Sequence, residues 1–183
     1  SFVEGPEDIR VVRELLPVRG EPLGEAAVLL GVGELARVEW AVEKGTECGA
    51  ASFVLVAAVR SQRAHVAAAA ARLERLRRIA AEAAKQCDRT RVPPVSGPLP
   101  LADAVAAAPG RLFVARPGAP PLPPGSAAGA VAVAIGPEGG FDSDEVRLLD
   151  GAGAVPFGLG PRVLRLETAV VAALARLVDD GPP

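Results

Sequence analysis

Six consecutive apolar residues, Ala130-Val131-Ala132-Val133-Ala134-Ile135, run straight into Gly136-Pro137-Glu138-Gly139-Gly140-Phe141. A strand with no polar alternation is covered on both faces, which is the condition of a parallel sheet with helices on each side. Asp142-Ser143-Asp144-Glu145-Val146 comes next, with Asp142 and Glu145 at capping-box spacing, so the glycine turn feeds a helix. In α/β sheets small ligands bind at the carboxyl ends of strands. Gly136, Gly139 and Gly140 would let one approach the backbone without Cβ clashes. The turn is either a site or only a corner between strand and helix.

The rest of the chain repeats the same alternation. Residues 26–32 read as a buried strand and residues 34–48 as a helix, with Leu35, Val38, Val42 and Gly45 on one stripe and Glu39, Glu43 and Glu47 on another. Residues 52–58 are a second strand. Residues 65–87, rich in Ala, Leu, Arg and Glu and free of Gly and Pro, predict one long helix ending before Pro93-Pro94. Residues 101–108 predict a short helix stopped by Pro109-Gly110, and residues 112–115 a third strand. Residues 117–129 are proline-rich loop. Residues 130–135 are the fourth strand. Residues 154–157 are a fifth, and Pro156 there marks either a strand start or a sheet edge. A last helix runs to about residue 177. The fold class is α/β, a mostly parallel sheet with helices on both faces. Residues 1–24 are broken by Gly and Pro, with only residues 9–12 strand-like, and read as a tail or the remnant of another domain; residues 25–183 form the main domain.

Charge is uneven. The net charge is -2, which argues against indiscriminate nucleic-acid binding. Residues 60–91, however, hold nine basic and three acidic side chains. Such a segment is either a phosphate-facing patch or a solvated helix face. Cys48 and Cys87 form neither a disulfide framework nor a zinc pattern, and no metal site is expected. No signal peptide and no apolar run of membrane-spanning length is visible, so a cytoplasmic setting without a membrane partner is expected.

A second glycine turn follows the fifth strand, Gly158-Leu159-Gly160-Pro161-Arg162-Val163-Leu164-Arg165, and then Glu167-Thr168-Ala169. Two such loops at one sheet edge would form a concave site lined by backbone amides and carbonyls. Neither is a dinucleotide fingerprint or a P-loop, and a neutral ring such as adenine suits backbone hydrogen bonding better than a phosphate does.

These paired stretches resemble the signature of the RsmE-type RNA methyltransferases of the SPOUT superfamily. Residues 43–50, Glu-Lys-Gly-Thr-Glu-Cys-Gly-Ala, and residues 81–93, which include Gln86, Arg89 and Arg91 before Pro93, are similar to further segments of that family. The resemblance spans residues 25–178. It implies an α/β knot, with the C-terminal stretch threaded as a deep trefoil. It further implies S-adenosyl-L-methionine as cofactor, a homodimer with the active site at the subunit interface, and methylation of uridine N3 in 16S ribosomal RNA of the small ribosomal subunit. Cofactor contacts are expected from Val114, Ala115, Ile135, Gly136, Glu138, Gly139, Gly140, Gly158, Leu159, Gly160, Val163 and Leu164. Arg60, Gln86, Arg89 and Arg91 are expected to face RNA.

Uracil N3 carries a proton that must leave, so a base or a water path assists the transfer. Glu138, Arg165 and Glu167 are the catalytic candidates. Glu138 could accept that proton, hold a cofactor group or an arginine, or simply sit at a helix N-terminus where the dipole favours a carboxylate. Arg165 either orients a carbonyl or phosphate or pairs with Glu167 or Glu138. The chain departs from the family at Glu34-Leu35-Ala36-Arg37, where Lys-Gly-Asp/Glu-Lys is usual; the family's PUA-like barrel would precede residue 25, where only about 24 residues stand, so the barrel is either lost or outside this stretch of sequence. The competing reading is a SPOUT-fold protein that binds cofactor or RNA without turnover, or a methyltransferase for another RNA.

Overall fold

The computed structural model describes residues 21–22, 24–122 and 129–178; the strand-like residues 9–12 lie outside them. Six strands form one sheet: β1 Glu25–Gly31, β2 Ala50–Val56, β3 Val95–Leu99, β4 Arg111–Ala115, β5 Ala130–Ile135 and β6 Val155–Phe157. Their spatial order is β3-β2-β1-β5-β4-β6 and every pairing is parallel. The described helices are α1 Leu35–Glu47, α2 Arg63–Ala71, α3 Leu73–Gln86, α4 Leu101–Ala106, α5 Ser143–Gly151 and α6 Leu166–Leu177. The chain winds outward from β1 through β2 to β3, crosses to β4, returns to β5 beside β1, and leaves to β6. The switch point lies between β1 and β5.

The continuous apolar runs are buried on both faces. Val28 and Leu30 of β1 pack in one core with Val38 and Val42 of α1, Leu76 and Ala80 of α3, and Val170 and Leu174 of α6. The alternate residues Ala27 and Leu29 pack in a second core with Leu101 and Ala104 of α4 and Leu149 of α5. Gly45 permits the close approach of α1 to the sheet: a Cβ there would lie 2.8 Å from Phe53 and 3.1 Å from Val170. The Asp142–Glu145 capping box is formed, with Asp142 accepting from the Asp144 and Glu145 amides and Glu145 accepting from the Asp142 amide.

Two expectations change. The helix over residues 65–87 is divided at Arg72 (φ −111°, ψ 13°) into α2 and α3. Alanine-rich sequence has high helix propensity but little apolar area to aim it. α2 buries only Ala69, whereas α3 buries Leu76, Ala80, Ala83 and Ala84 and is pinned to α1 by Arg75, whose Nε and Nη2 donate to Glu39 at 2.6 and 3.0 Å. Packing therefore decides where the axis bends. The second change is β3, Val95-Ser96-Gly97-Pro98-Leu99, which sequence patterning passes over because it holds Gly and Pro. Pro98 is tolerated since β3 pairs only with β2, at the sheet edge. Gly97 sits at φ +92°, and a Cβ there would come 2.5 Å from the Leu55 carbonyl oxygen. β6 is the opposite edge, so of the two positions open to Pro156 it takes the edge and not the strand start.

Arg89 ties the start of the described chain to the helix ends. Its side chain is 4% exposed; Nη1 donates to the Thr46 and Ala50 carbonyls, and Nη2 pairs with Glu21 at 2.8 Å. Glu21 also accepts from the Arg91 amide at 2.7 Å. Burial alone pushes the Glu21 carboxyl up, but the Arg89 guanidinium and the Arg91 amide outweigh it and hold the group below its ordinary value. A depressed carboxylate contributes stability that is present above its unfolded value and lost as pH falls through its folded one. Glu21→Gln is therefore expected to lower stability at neutral pH. Its deficit against the parent chain should shrink below about pH 4, as measured by urea unfolding from pH 7 to pH 3.

Candidate functional site

The carboxyl ends of β4, β5 and β6 converge on one cavity of about 330 Å³. That is the size of a small-molecule site. Val114, Ala115, Arg116 and Pro117 line it from the end of β4, and Ile135, Gly136, Pro137, Glu138, Gly140 and Phe141 from the end of β5. Leu159, Gly160, Arg162, Val163 and Leu164 line it after β6, and Leu166 and Ala169 close it from α6. The walls are mostly apolar. Gly140 (φ +67°) and Gly160 (φ +108°) take backbone conformations that L side chains rarely adopt, and at neither would a Cβ meet an atom within 4 Å. The two glycine turns thus line one cavity, and Val114 and Ala115 of β4 join them.

Two expected contacts stand back from the lining. Gly139 presents its carbonyl to Arg60, whose Nη1 donates at 2.8 Å, and a Cβ on Gly139 would press on the Arg60 side chain at 3.2 Å. Gly158 is a close-approach glycine, since a Cβ there would lie 2.1 Å from the Ala119 carbonyl oxygen. Its amide donates to the Pro120 carbonyl at 3.0 Å, which holds the chain after β6 against the loop after β4. Gly31 plays a matching part at the end of β1: a Cβ there would lie 2.5 Å from the Pro137 ring and its nitrogen. Glu145, 7% exposed, accepts from the Val59 amide at 2.8 Å, so the loop after β2 is fastened to the head of α5.

Arg37 of α1 gathers the acidic candidates. Its Nη1 donates to Glu167 at 3.0 Å, and its Nε lies 3.5 Å from Glu138 and 3.4 Å from Glu34. The pairings of Arg165 with Glu138 or Glu167 are not formed among the described residues. Arg165 is exposed, at the N-cap of α6. The sequence pattern does not single out Arg37, because it lies 101 positions before Glu138 and only the β1–β5 pairing brings them together. Phe141, by contrast, stood inside the quoted motif.

The residues expected to face RNA separate. Arg60 is exposed beside the first turn, at the cavity's edge. Gln86 and Arg91 are exposed, Gln86 at the end of α3 in a shallow groove with Glu43, Glu47 and Arg78, and Arg91 paired with Glu25 at 3.3 Å. Arg89 is corrected: enclosed by Glu21 and two carbonyls, it serves the fold and presents no free face to a phosphate. The basic segment as a whole is largely neutralised, by Arg75–Glu39, Arg77–Glu74 and Lys85–Glu82 pairs. Arg63, Arg72 and Arg78 form no ion pair among the described residues.

The sequence matches the family model of the RNA methyltransferase domain over residues 19–178. The chain belongs to that family. Among curated relatives, the ribosomal RNA small subunit methyltransferase E of Mycobacterium bovis is 36% identical over 148 residues, covering 75% of this chain and 56% of the relative. Among solved structures, a putative methyltransferase from Legionella pneumophila with bound S-adenosylmethionine superposes with a TM-score of 0.74 at 31% identity, covering 84% of this chain and 65% of that one. A ribosomal RNA small subunit methyltransferase E from Neisseria gonorrhoeae, bound to S-adenosylmethionine, gives 0.72 at 30% identity with the same coverage. The chain thus spans little more than half the length of that curated relative. The α/β architecture of the family is the one observed here.

Because backbone rather than a flexible side chain faces the missing Cβ of Gly158, Gly158→Ala is expected to destabilise by about 1–3 kcal/mol. Gly151→Ala, where a Cβ meets nothing within 4 Å, should leave stability unchanged or slightly raised. Urea unfolding of the two variants makes the comparison.

Proposed function

We propose that this chain is the catalytic part of an S-adenosylmethionine-dependent RNA methyltransferase that methylates N3 of a uridine in small-subunit ribosomal RNA. One observation carries the reading: both glycine turns and the end of β4 line a single, mostly apolar cavity at the sheet's carboxyl edge. The residues present fit the cofactor. Gly140 and Gly160 hold, in the cavity lining, backbone conformations that other residues rarely adopt, and Val114, Ile135, Phe141, Leu159 and Leu164 offer apolar surface for an adenosine. Backbone groups of the turns suit hydrogen bonding to its ring edge. Support for the substrate comes from the relatives, which are named for the small ribosomal subunit's RNA.

Bound S-adenosylmethionine supplies a methyl group on a sulfonium. The chain's own work is to bind, orient and accept a proton. Glu138, which lines the cavity, is the carboxylate assigned to the N3 proton. Glu167 stands behind it, joined through Arg37. Arg165 and Arg60, both exposed at the cavity's margin, are assigned to the RNA, where arginine–phosphate contacts make binding salt-dependent. Gln86 and Arg91 are assigned there too, at a distance along α3. We further infer the trefoil thread, supported by the close contact of Gly158 with Ala119 and Pro120. A homodimer acting in the cytoplasm completes the reading. It accords with the half-exposed Trp40 on α1 and with the lack, among the described residues, of a helix long and apolar enough to cross a membrane.

Calorimetry with S-adenosylmethionine is expected to give a single site per chain. Gly160→Val, a side chain forced into a φ of +108° at the cavity wall, should weaken it at least about tenfold, or 1.4 kcal/mol. No binding by the folded parent chain would remove the enzyme reading. Substrate is checked separately, by mass mapping of ribosomal RNA from a strain lacking the gene. The prediction is loss of one 3-methyluridine in the small subunit.

A further inference from the structure

Glu138 is fixed by two neighbours that lie far from it in sequence. Its carboxylate rests on Gly33, where a Cβ would lie 2.4 Å from Oε2 and 2.6 Å from Oε1. On another side stands Arg37, with Nε 3.5 Å from Oε1. The same guanidinium donates to Glu167 at the first turn of α6 and reaches Glu34. Glu167 is the better-shielded partner, 14% exposed against 46% for Glu138. Its other oxygen, Oε2, is buried without a hydrogen-bond partner among the described residues. Three carboxylates thus share one guanidinium, and two of them belong to elements that form the cavity: the turn after β5, and α6. Without Arg37 these carboxylates would repel one another at close range.

We propose that Arg37 is the positioning residue of the cavity. It holds the Glu138 carboxylate against Gly33 and couples it to Glu167, which keeps the 137–140 turn in the shape that receives the cofactor. The inference rests on the cofactor reading above and deepens it. Arg37 does not line the cavity. It acts through Glu138, and Gly33 is the second jaw of the clamp. Gly33 shows no left-handed φ, so an alanine there costs no backbone strain and only displaces the carboxylate.

A double-mutant cycle read by S-adenosylmethionine calorimetry tests this on the chain alone, without RNA. Arg37→Ala is expected to weaken binding roughly tenfold, and Arg37→Lys, which keeps the charge, by about threefold or less. Gly33→Ala should weaken binding in the same direction by an independent route. In a Glu138→Gln background, Arg37→Ala should add less than about twofold, because the group it acts on is already altered. Circular dichroism and thermal unfolding establish that each variant is folded. If Arg37→Ala does not fold, the Gly33→Ala and Arg37→Lys arms still decide. Full additivity with Glu138→Gln, or unchanged affinity in folded Arg37→Ala or Gly33→Ala, would overturn the positioning role while leaving the cofactor assignment intact. A folded parent chain that binds no S-adenosylmethionine would overturn both.

Discussion

The parallel pairing of β1 with β5 is the contact on which the site depends. Six registered pairs, from Glu25 with Ala130 to Leu30 with Ile135, join segments about 100 residues apart at the centre of the sheet. The pairing lets two turns meet, Gly31–Gly33 after β1 and Gly136–Gly140 after β5. Their backbones approach closely enough that a Cβ on Gly31 would strike Pro137. α1 then starts beside the second turn, which is why Arg37 reaches Glu138 and Glu167. The switch point is also where the two directions of winding diverge, the place at which α/β sheets form ligand crevices.

Around that centre, each wall of the cavity is fastened by a polar contact from elsewhere. Glu145 takes the Val59 amide, Arg60 takes the Gly139 carbonyl, and Gly158 donates to the Pro120 carbonyl. These contacts lie just outside the lining and leave the interior mostly apolar. Two of the three use a side chain, Glu145 and Arg60, and the third joins backbone to backbone. The charges in the lining are those of Arg116, Glu138 and Arg162, with the exposed Arg60 and Arg165 beside the two turns.

The basic segment shows what composition leaves open. Nine cations in residues 60–91 fit either a phosphate-facing patch or a solvated helix face. Folding sets several of them against carboxylates of other elements: Arg75 against Glu39 on α1, Arg89 against Glu21, Arg91 against Glu25. Those acidic partners come from the N-terminal part of the chain, where acidic residues are in excess. Opposite charge biases in two segments were complementary surfaces, and only their contact reveals it. The break at Arg72 is of the same kind. No residue there forbids a helix, and the bend follows from what α3 packs against.

Sequence by itself determined the class of fold and most of the cavity. Short uninterrupted apolar runs bounded by glycine turns fit strands buried on both faces, and glycine turns at their carboxyl ends mark where backbone is open to a ligand. It also determined the capping box of α5, since that follows from local hydrogen bonding. Tertiary structure decided the rest. It made β3 from a Gly-Pro segment because an edge strand needs only one partner. It set Gly139 against Arg60 and Gly158 against Ala119 and Pro120, and enclosed Arg89 within the fold. And it chose Arg37 as the partner of Glu138 and Glu167, because an ion pair is set by distance in space, which a linear pattern does not encode.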